Sequence, residues 1–131
     1  MAKAVHIETE LAKLPVMRGR TPDTPLEEED KAFATLAELG DGGVFAGSFE
    51  GESPWERHTK GDELVHVLAG ETRLTLLTED GPQELVMTSG MLTVVPQGTW
   101  HRFQAPDGVT VLTVTPQPTD HSTAEDPREG G

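Results

Sequence analysis

Two histidines and one glutamate stand where the sequence pattern places the ends of strands. His58 and Glu63 precede a strand-like run that begins at Leu64, and His101 follows the turn Pro96-Gln-Gly98. Two imidazoles and one carboxylate form a donor set typical of non-haem Fe(II), and Zn²⁺, Mn²⁺ or Ni²⁺ also bind such donors. If these side chains converge, the pattern predicts a site for one divalent metal ion, with Fe²⁺ favoured.

The local pattern also indicates what surrounds this site. Proline fixes φ and the following glycine permits unusual φ values, so the turn before His101 gives its strand a defined starting angle. Strand alternation places Glu63 on one face with Val65 and Val67. A carboxylate beside an apolar face is unfavourable unless a charge or a metal compensates it. We therefore expect a pocket lined by Val65 and Val67, with Phe103 and Ala105 on the face of His101.

Lys60 complicates a metal site, because an ammonium close to a divalent cation is repelled. Three placements follow from the sequence. Lys60 can turn out to solvent and leave three ligands, or it can point inward as a neutral general base beside the metal. It can also pair with Glu63 and replace the metal. The outward placement is favoured because Gly61 lets the loop turn, and Lys60 is kept as a candidate catalytic residue.

The elements that position these residues are strands. After Glu63, short β-branched and aliphatic runs alternate with turn signals at 69–71, 78–82 and 105–108. This spacing predicts an all-β sandwich or barrel and not alternating strands and helices. Residues 31–39 have a helix-like composition, but the glycine-rich stretch after them favours a hairpin.

The domain boundaries follow from these elements. Residues 1–32 are expected to form an N-terminal arm, with a turn of helix between Leu11 and Leu14. The barrel is predicted over residues 33–115. Residues 116–131 are predicted to be a flexible tail, because proline, glycine and acidic residues predominate there.

The second motif resembles that of the cupin superfamily. The family pattern runs glycine, proline, glycine, histidine and asparagine, and the first four are matched without gaps by Gly90, Pro96, Gly98 and His101. Only Ala105 departs, because it stands in place of the asparagine. The resemblance implies a double-stranded β-helix, or jelly-roll, barrel.

The first motif is a weaker match to the same family. Gly51, His58, Glu63 and Gly70 occur in the family order with altered spacing. Lys60 stands where the family has a second histidine, which usually serves as a fourth ligand. The chemistry that the resemblance implies includes dioxygenase, isomerase and lyase-type reactions, and small members of the family commonly form homodimers.

Two functions remain open at this stage. One is a metal-dependent enzyme that acts on a small organic molecule, with a dioxygenase-, isomerase- or lyase-type reaction. The other is a non-catalytic barrel that binds a small ligand or keeps a structural metal. The net charge of −13 argues against nucleic acid and anionic membranes as partners, because both repel an acidic surface.

Location and assembly are expectations from composition. Neither a signal-peptide pattern nor a membrane-length apolar run is found, and cysteine is absent, so a cytoplasmic protein is expected. The arm carries apolar residues that lack an obvious partner in so small a barrel, and these predict a homodimer: Val5, Ile7, Leu11 and Leu14.

Overall fold

The structure is a computed structural model that describes residues 2–130. The described elements are, in chain order, α1 (Ile7–Ala12), β1 (Met17–Arg20), α2 (Leu26–Ala32), β2 (Phe33–Leu39), β3 (Gly42–Glu52), β4 (Trp55–His58), β5 (Glu63–Thr78), β6 (Gly81–Thr88), β7 (Leu92–Val95), β8 (His101–Pro116), β9 (Thr119–Ser122) and a 3₁₀ turn (Pro127–Gly130). Within residues 2–130, no helix has the length and apolar character needed to span a membrane.

One curled sheet contains all these strands, and β8 is its central strand. On one side, β8 pairs antiparallel with β3 and with β4, and on the other side it pairs antiparallel with β5. The outer edges of β3 and β4 pair with β1, β2 and β9, whereas the outer edge of β5 pairs with β6 and β7. The all-β jelly-roll barrel predicted from the sequence is confirmed.

The inner face of this sheet holds the apolar core. Val65 and Val67 on β5 and Val111 on β8 are fully or almost fully buried there, together with Phe49 on β3. Burying such side chains contributes about 1.5–3 kcal/mol each to folding. The inner face therefore forms a rigid wall, and the residues at one end of it carry the polar groups described below.

The two longest strands are continuous where the sequence predicted turns. The stretches 69–71 and 105–108 bend β5 and β8 without reversing them, and the pairing register between the two strands shifts at these positions. Gly70 has φ of 78°, and a Cβ on it would lie 2.4 Å from the carbonyl oxygen of Gly108. Glycine and the register shifts let β5 and β8 bend here and approach each other closely, as strands do at the corner of a barrel.

The hairpin predicted for the 31–39 region is confirmed, since β2 pairs antiparallel with β3 across the turn at Gly40. The acidic stretch before it forms α2, which ends where β2 begins. Two strands lie in segments for which the sequence predicted none. They are β1, within the predicted arm, and β9, within the predicted flexible tail. Each is only four residues long and is held by pairing with a distant strand, which a local pattern does not reveal.

Candidate metal centre

The structure brings His58, Glu63 and His101 together at one end of the barrel. His58 ends β4, Glu63 begins β5 and His101 begins β8. One donor atom from each lies within 4.8 Å of the others, and all three residues are buried. Glu63 lies between the histidines: its Oε1 is 3.0 Å from His101 Nε2, and its Oε2 is 3.2 Å from His58 Nε2.

The donor atoms that face one another are unsatisfied. Among residues 2–130, His58 Nε2, Glu63 Oε1 and His101 Nε2 are buried without a hydrogen-bond partner of acceptable geometry. Buried polar atoms are rarely left in this state. Two imidazole nitrogens and a carboxylate oxygen that converge in this way can hold a divalent metal ion, so the residues present fit such a group.

Hydrogen-bond contacts at Nδ1 orient the imidazole rings of both histidines. His101 Nδ1 lies 2.9 Å from the carbonyl oxygen of Thr99, which can only accept, so Nδ1 carries the proton and the neutral ring presents a lone pair at Nε2. His58 Nδ1 lies 3.0 Å from Thr119 Oγ1 on β9. Such contacts fix the tautomer and the ring orientation of metal-binding histidines.

The charges of the site are strongly coupled. Burial alone would raise the pKa of Glu63, but its contacts with His101 and His58 outweigh burial and lower the pKa to about 2. Burial of His101 opposes its protonation, yet the Glu63 carboxylate outweighs this effect and raises the pKa of His101. The site thus favours an anion at Glu63 with positive charge beside it, which a proton or a dication can supply.

Two cation–aromatic contacts fix the strands that carry the histidines. The Arg57 guanidinium lies 4.6 Å from the ring centroid of Trp100, and the Arg102 guanidinium lies 4.5 Å from that of Trp55. These residues alternate in sequence with His58 and His101 and therefore lie on the opposite sheet face. Stacking of this kind contributes about 0.5–2 kcal/mol per pair. The two contacts tie β4 to β8 directly behind the centre.

A cavity of about 470 Å³ opens beside His58 and Glu63. Phe103 lines it together with His58 and Glu63, whereas His101 is not among its lining residues. The other predicted lining residues lie elsewhere: Val65, Val67 and Ala105 belong to the closed apolar core and do not line this cavity. The cavity and this core share Phe49, Phe103 and Val111, which belong to the same cluster of buried residues and also line the cavity.

Lys60 lies in the exposed loop between β4 and β5 and is not among the residues that line the cavity. This position corresponds to the outward placement among the three that the sequence left open. The loop is held by Asp62 and Gln97: the backbone N–H of Gln97 donates to Asp62 Oδ1 at 2.8 Å, and the Gln97 side chain donates to the Thr59 carbonyl at 2.7 Å.

Three residues of the site were not identified from the sequence. Arg20 on β1 is buried, and it donates hydrogen bonds through Nε and Nη2 to Oε1 of Glu29 on α2. Its Nη2 also lies 3.9 Å from Glu56 Oε1 on β4. Burial raises the pKa of Glu56, although the Arg20 guanidinium acts in the opposite direction. All three line the cavity.

Comparison with solved structures supports the fold assignment. The chain is 24% identical to a cupin-2 domain containing protein from Shewanella frigidimarina NCIMB 400, with 66% of this chain and 80% of that chain covered and a TM-score of 0.57. Protein NMB1881 from Neisseria meningitidis is 14% identical, over 88% of this chain and all of its own, at a TM-score of 0.64. A hydroquinone 1,2-dioxygenase from Sphingomonas sp. TTNP3, solved with 4-hydroxybenzoate bound, is 15% identical. The match covers 91% of this chain and 75% of that chain, at a TM-score of 0.60.

A family assignment follows from the sequence profile of the Cupin domain family, which matches residues 49–115. No curated protein matches the chain. The matched range runs from the end of β3 to the end of β8 and contains His58, Glu63 and His101. With the jelly-roll sheet and the histidine–glutamate cluster at its end, this match shows that the chain belongs to the cupin family.

Proposed function

We propose that His58, Glu63 and His101 hold one divalent metal ion, with Fe²⁺ favoured, and that the protein is a metal-dependent enzyme acting on a small organic molecule. The observation that carries this proposal is the convergence of three buried donor atoms without hydrogen-bond partners, two of them from residues that line a cavity. Two imidazoles and one carboxylate are the donor set of non-haem Fe(II) sites, and Zn²⁺, Mn²⁺ and Ni²⁺ are alternatives.

The residues around the donors support a reactive site. A divalent ion would supply Lewis acidity there, and iron would add redox chemistry with oxygen. Thr99 and Thr119 hold the two imidazole rings in place, and the Thr115 hydroxyl donates to Glu63 Oε2 at 2.6 Å. Three protein ligands leave coordination positions for a substrate. The proposed reaction is of the dioxygenase, isomerase or lyase type.

Metal analysis of the purified protein tests this proposal. We expect close to one iron per chain after anaerobic reconstitution, and loss of that iron in His58→Ala and His101→Ala. His66→Ala is the matched control, because His66 lies on the opposite face of β5 and should leave the metal content unchanged. Failure of the wild type to retain Fe²⁺, Mn²⁺, Ni²⁺ or Zn²⁺ would reject the proposal.

The second candidate is a non-catalytic cupin that binds a small ligand or keeps a structural metal. It is favoured by Lys60, which replaces a fourth ligand of the family motif and lies outside the cavity. Incubation of the metal-loaded protein with a mixed panel of small phenols, sugars and organic acids distinguishes the enzyme from the non-catalytic cupin. Consumption of a panel member supports the enzyme, whereas binding without consumption supports the second candidate.

We also propose that the protein forms a homodimer through the outer face of the sheet. Leu92 and Val94 on β7 are 60% and 49% exposed, half-buried Leu64 pairs with Val94 in register, and half-buried Val114 pairs with Leu64 on the other side. Helix α1 of the arm contacts β2 and β3 of its own chain, so we place the contact with a second copy on this apolar strip and not on the arm.

Light scattering at micromolar concentration tests the dimer. We expect twice the chain mass for the wild type and the monomer mass for Leu92→Lys. Val16→Lys is the control, because Val16 is an exposed apolar residue outside the strip. A wild-type monomer would reject the dimer.

A further inference from the structure

All four phenylalanines of the chain line the cavity beside the proposed metal centre: Phe33, Phe45, Phe49 and Phe103. The ring centroids of Phe33 and Phe49 are 6.3 Å apart, and those of Phe49 and Phe103 are 6.0 Å apart. The ring of Phe103 lies 6.2 Å from that of His101. A chain of aromatic contacts therefore leads from Phe33 to the metal donors. The Arg20 guanidinium lies 4.6 Å from the ring centroid of Phe49 and 5.8 Å from that of Phe33, so a flat aromatic ligand would meet these rings beside Arg20, through edge and offset contacts.

The charges of the cavity disfavour an anionic ligand. With a dication at the centre, its charge would offset Glu63, and the rest of the cavity would carry three carboxyl groups, from Glu29, Asp30 and Glu56, against the single guanidinium of Arg20. The Arg20 side chain is 4% exposed and is already paired with Glu29 and close to Glu56. A carboxylate or phosphate would thus meet no free guanidinium in this cavity. The net charge of −13 adds a general repulsion of anions.

The polar groups of the cavity also select the kind of hydrogen bond. The carboxylate of Glu29, which is paired with Arg20, only accepts hydrogen bonds, so the polar group of a ligand beside it must be a donor. A metal dication at His58, Glu63 and His101 would repel a ligand cation. An uncharged hydroxyl satisfies both conditions.

We infer that the cavity binds an uncharged hydroxylated aromatic molecule of the phenol class, with its ring against the phenylalanines and its hydroxyl toward the carboxylates. The inference rests on the proposed function for the cationic centre, and it goes beyond that function by naming the ligand class. The chain of aromatic contacts from Phe33 to His101 places such a ring next to the metal donors.

Calorimetric titration of the zinc-loaded protein at pH 7 tests the ligand class, since zinc is redox-inactive and the probes are not consumed by oxidation. Four probes of matched size are compared: neutral 4-hydroxybenzyl alcohol, anionic 4-hydroxybenzoate, cationic 4-hydroxybenzylamine and the saturated 4-(hydroxymethyl)cyclohexanol. We expect the neutral aromatic probe to bind at least about tenfold more tightly than each of the others, which corresponds to about 1.4 kcal/mol. Equal or tighter binding of any other probe, or no binding of the first, overturns the inference.

A variant locates the ring. Phe45→Leu removes one aromatic wall residue that lies outside the core cluster, and it should weaken binding of 4-hydroxybenzyl alcohol about fivefold to tenfold, within the range of an aromatic contact. Leu39→Ala is the control, because Leu39 is 58% exposed and is not a cavity residue. Unchanged affinity in Phe45→Leu overturns the placement of the ring. Metal content, measured separately, shows whether a failure belongs to this inference or to the metal site.

Discussion

The hydroxyl of Thr115, near the end of β8, donates a hydrogen bond of 2.6 Å to Oε2 of Glu63, the first residue of β5. This bond holds one carboxylate oxygen and leaves Oε1 directed at His101. Thr115→Val keeps the shape of the side chain but removes the donor. We expect metal affinity to fall about 10-fold to 100-fold, as is typical for residues that orient a metal ligand.

Competition with a metal chelator measures this effect. Thr110→Val is the matched control, because the Thr110 hydroxyl lies 2.7 Å from Ser48 Oγ on the outer face of the same strand and has no contact with Glu63. Equal metal affinity in both variants would mean that Thr115 does not orient the carboxylate.

Lys60 offers a test of the three-ligand site. Because the side chain is exposed in the loop before β5, Lys60→Met should leave the metal content and the folding stability unchanged. Lys60→His introduces the residue that the family motif has here, and we expect it to bind the metal more tightly only if the loop, which Gly61 lets turn, brings the imidazole inward; equal affinity means that position 60 stays outside the site. Titration of the metal-free variants measures both. Loss of activity in Lys60→Met with its metal content intact would instead make Lys60 a catalytic base.

Much of the centre was predictable because its signals are local. The proline–glycine turn before His101 and the alternation that begins at Glu63 place both side chains at strand ends on the inner face. The same alternation predicted that Phe103 shares the face of His101. The outward position of Lys60 was one of three placements that the sequence left open.

The rest of the site depends on contacts between distant segments. Arg20 reaches the cavity only because β1 pairs in parallel with β3, and Glu29 reaches it through α2. A four-residue strand between proline-rich stretches carries no local sign of that pairing. Gly70 shows a related limit, because a glycine that bends a continuous strand and a glycine that ends one have the same sequence pattern.

The stability of the metal-free protein should depend on pH through Glu63 and His101. The pKa of Glu63 is lowered from 4.5 to about 2, so its contribution is complete above pH 4.5 and is lost as the pH falls toward 2. The pKa of His101 is raised above 6.5, so its contribution is complete below pH 6.5 and is lost as the pH rises through the raised value. The pair therefore stabilises the metal-free fold most between pH 4.5 and 6.5.

Urea denaturation across the pH range, with and without Glu63→Gln, isolates this contribution from those of other carboxyl groups such as Glu56. The difference in unfolding free energy between the two proteins should be largest in that interval and should decrease on both sides. A difference that keeps growing through pH 8 would contradict the charge assignment. With Zn²⁺ added, the stabilisation by metal should increase with pH, because the histidines must lose their protons to bind.

The buried Arg20 should contribute far more to stability than the exposed Arg18, although each pairs with a glutamate. The Arg20 side chain is 4% exposed and its partner Glu29 is 13% exposed, whereas Arg18 is 72% exposed where it meets Glu50. Removing one member of a buried pair leaves the other charge uncompensated, which costs about 3–5 kcal/mol. An exposed pair contributes about 0–1 kcal/mol.

We therefore expect Arg20→Met to lower the unfolding free energy by about 3 kcal/mol and Arg18→Met to change it by less than about 1 kcal/mol, both measured by urea denaturation at pH 7. The double variant Arg20→Met, Glu29→Met should recover much of the loss, because it removes both charges and fills the space with apolar atoms. If Arg20→Met is as mild as Arg18→Met, the Glu29 and Glu56 carboxyl groups reach solvent when the guanidinium is gone. The Arg20 cluster would then not be a fixed part of the cavity wall.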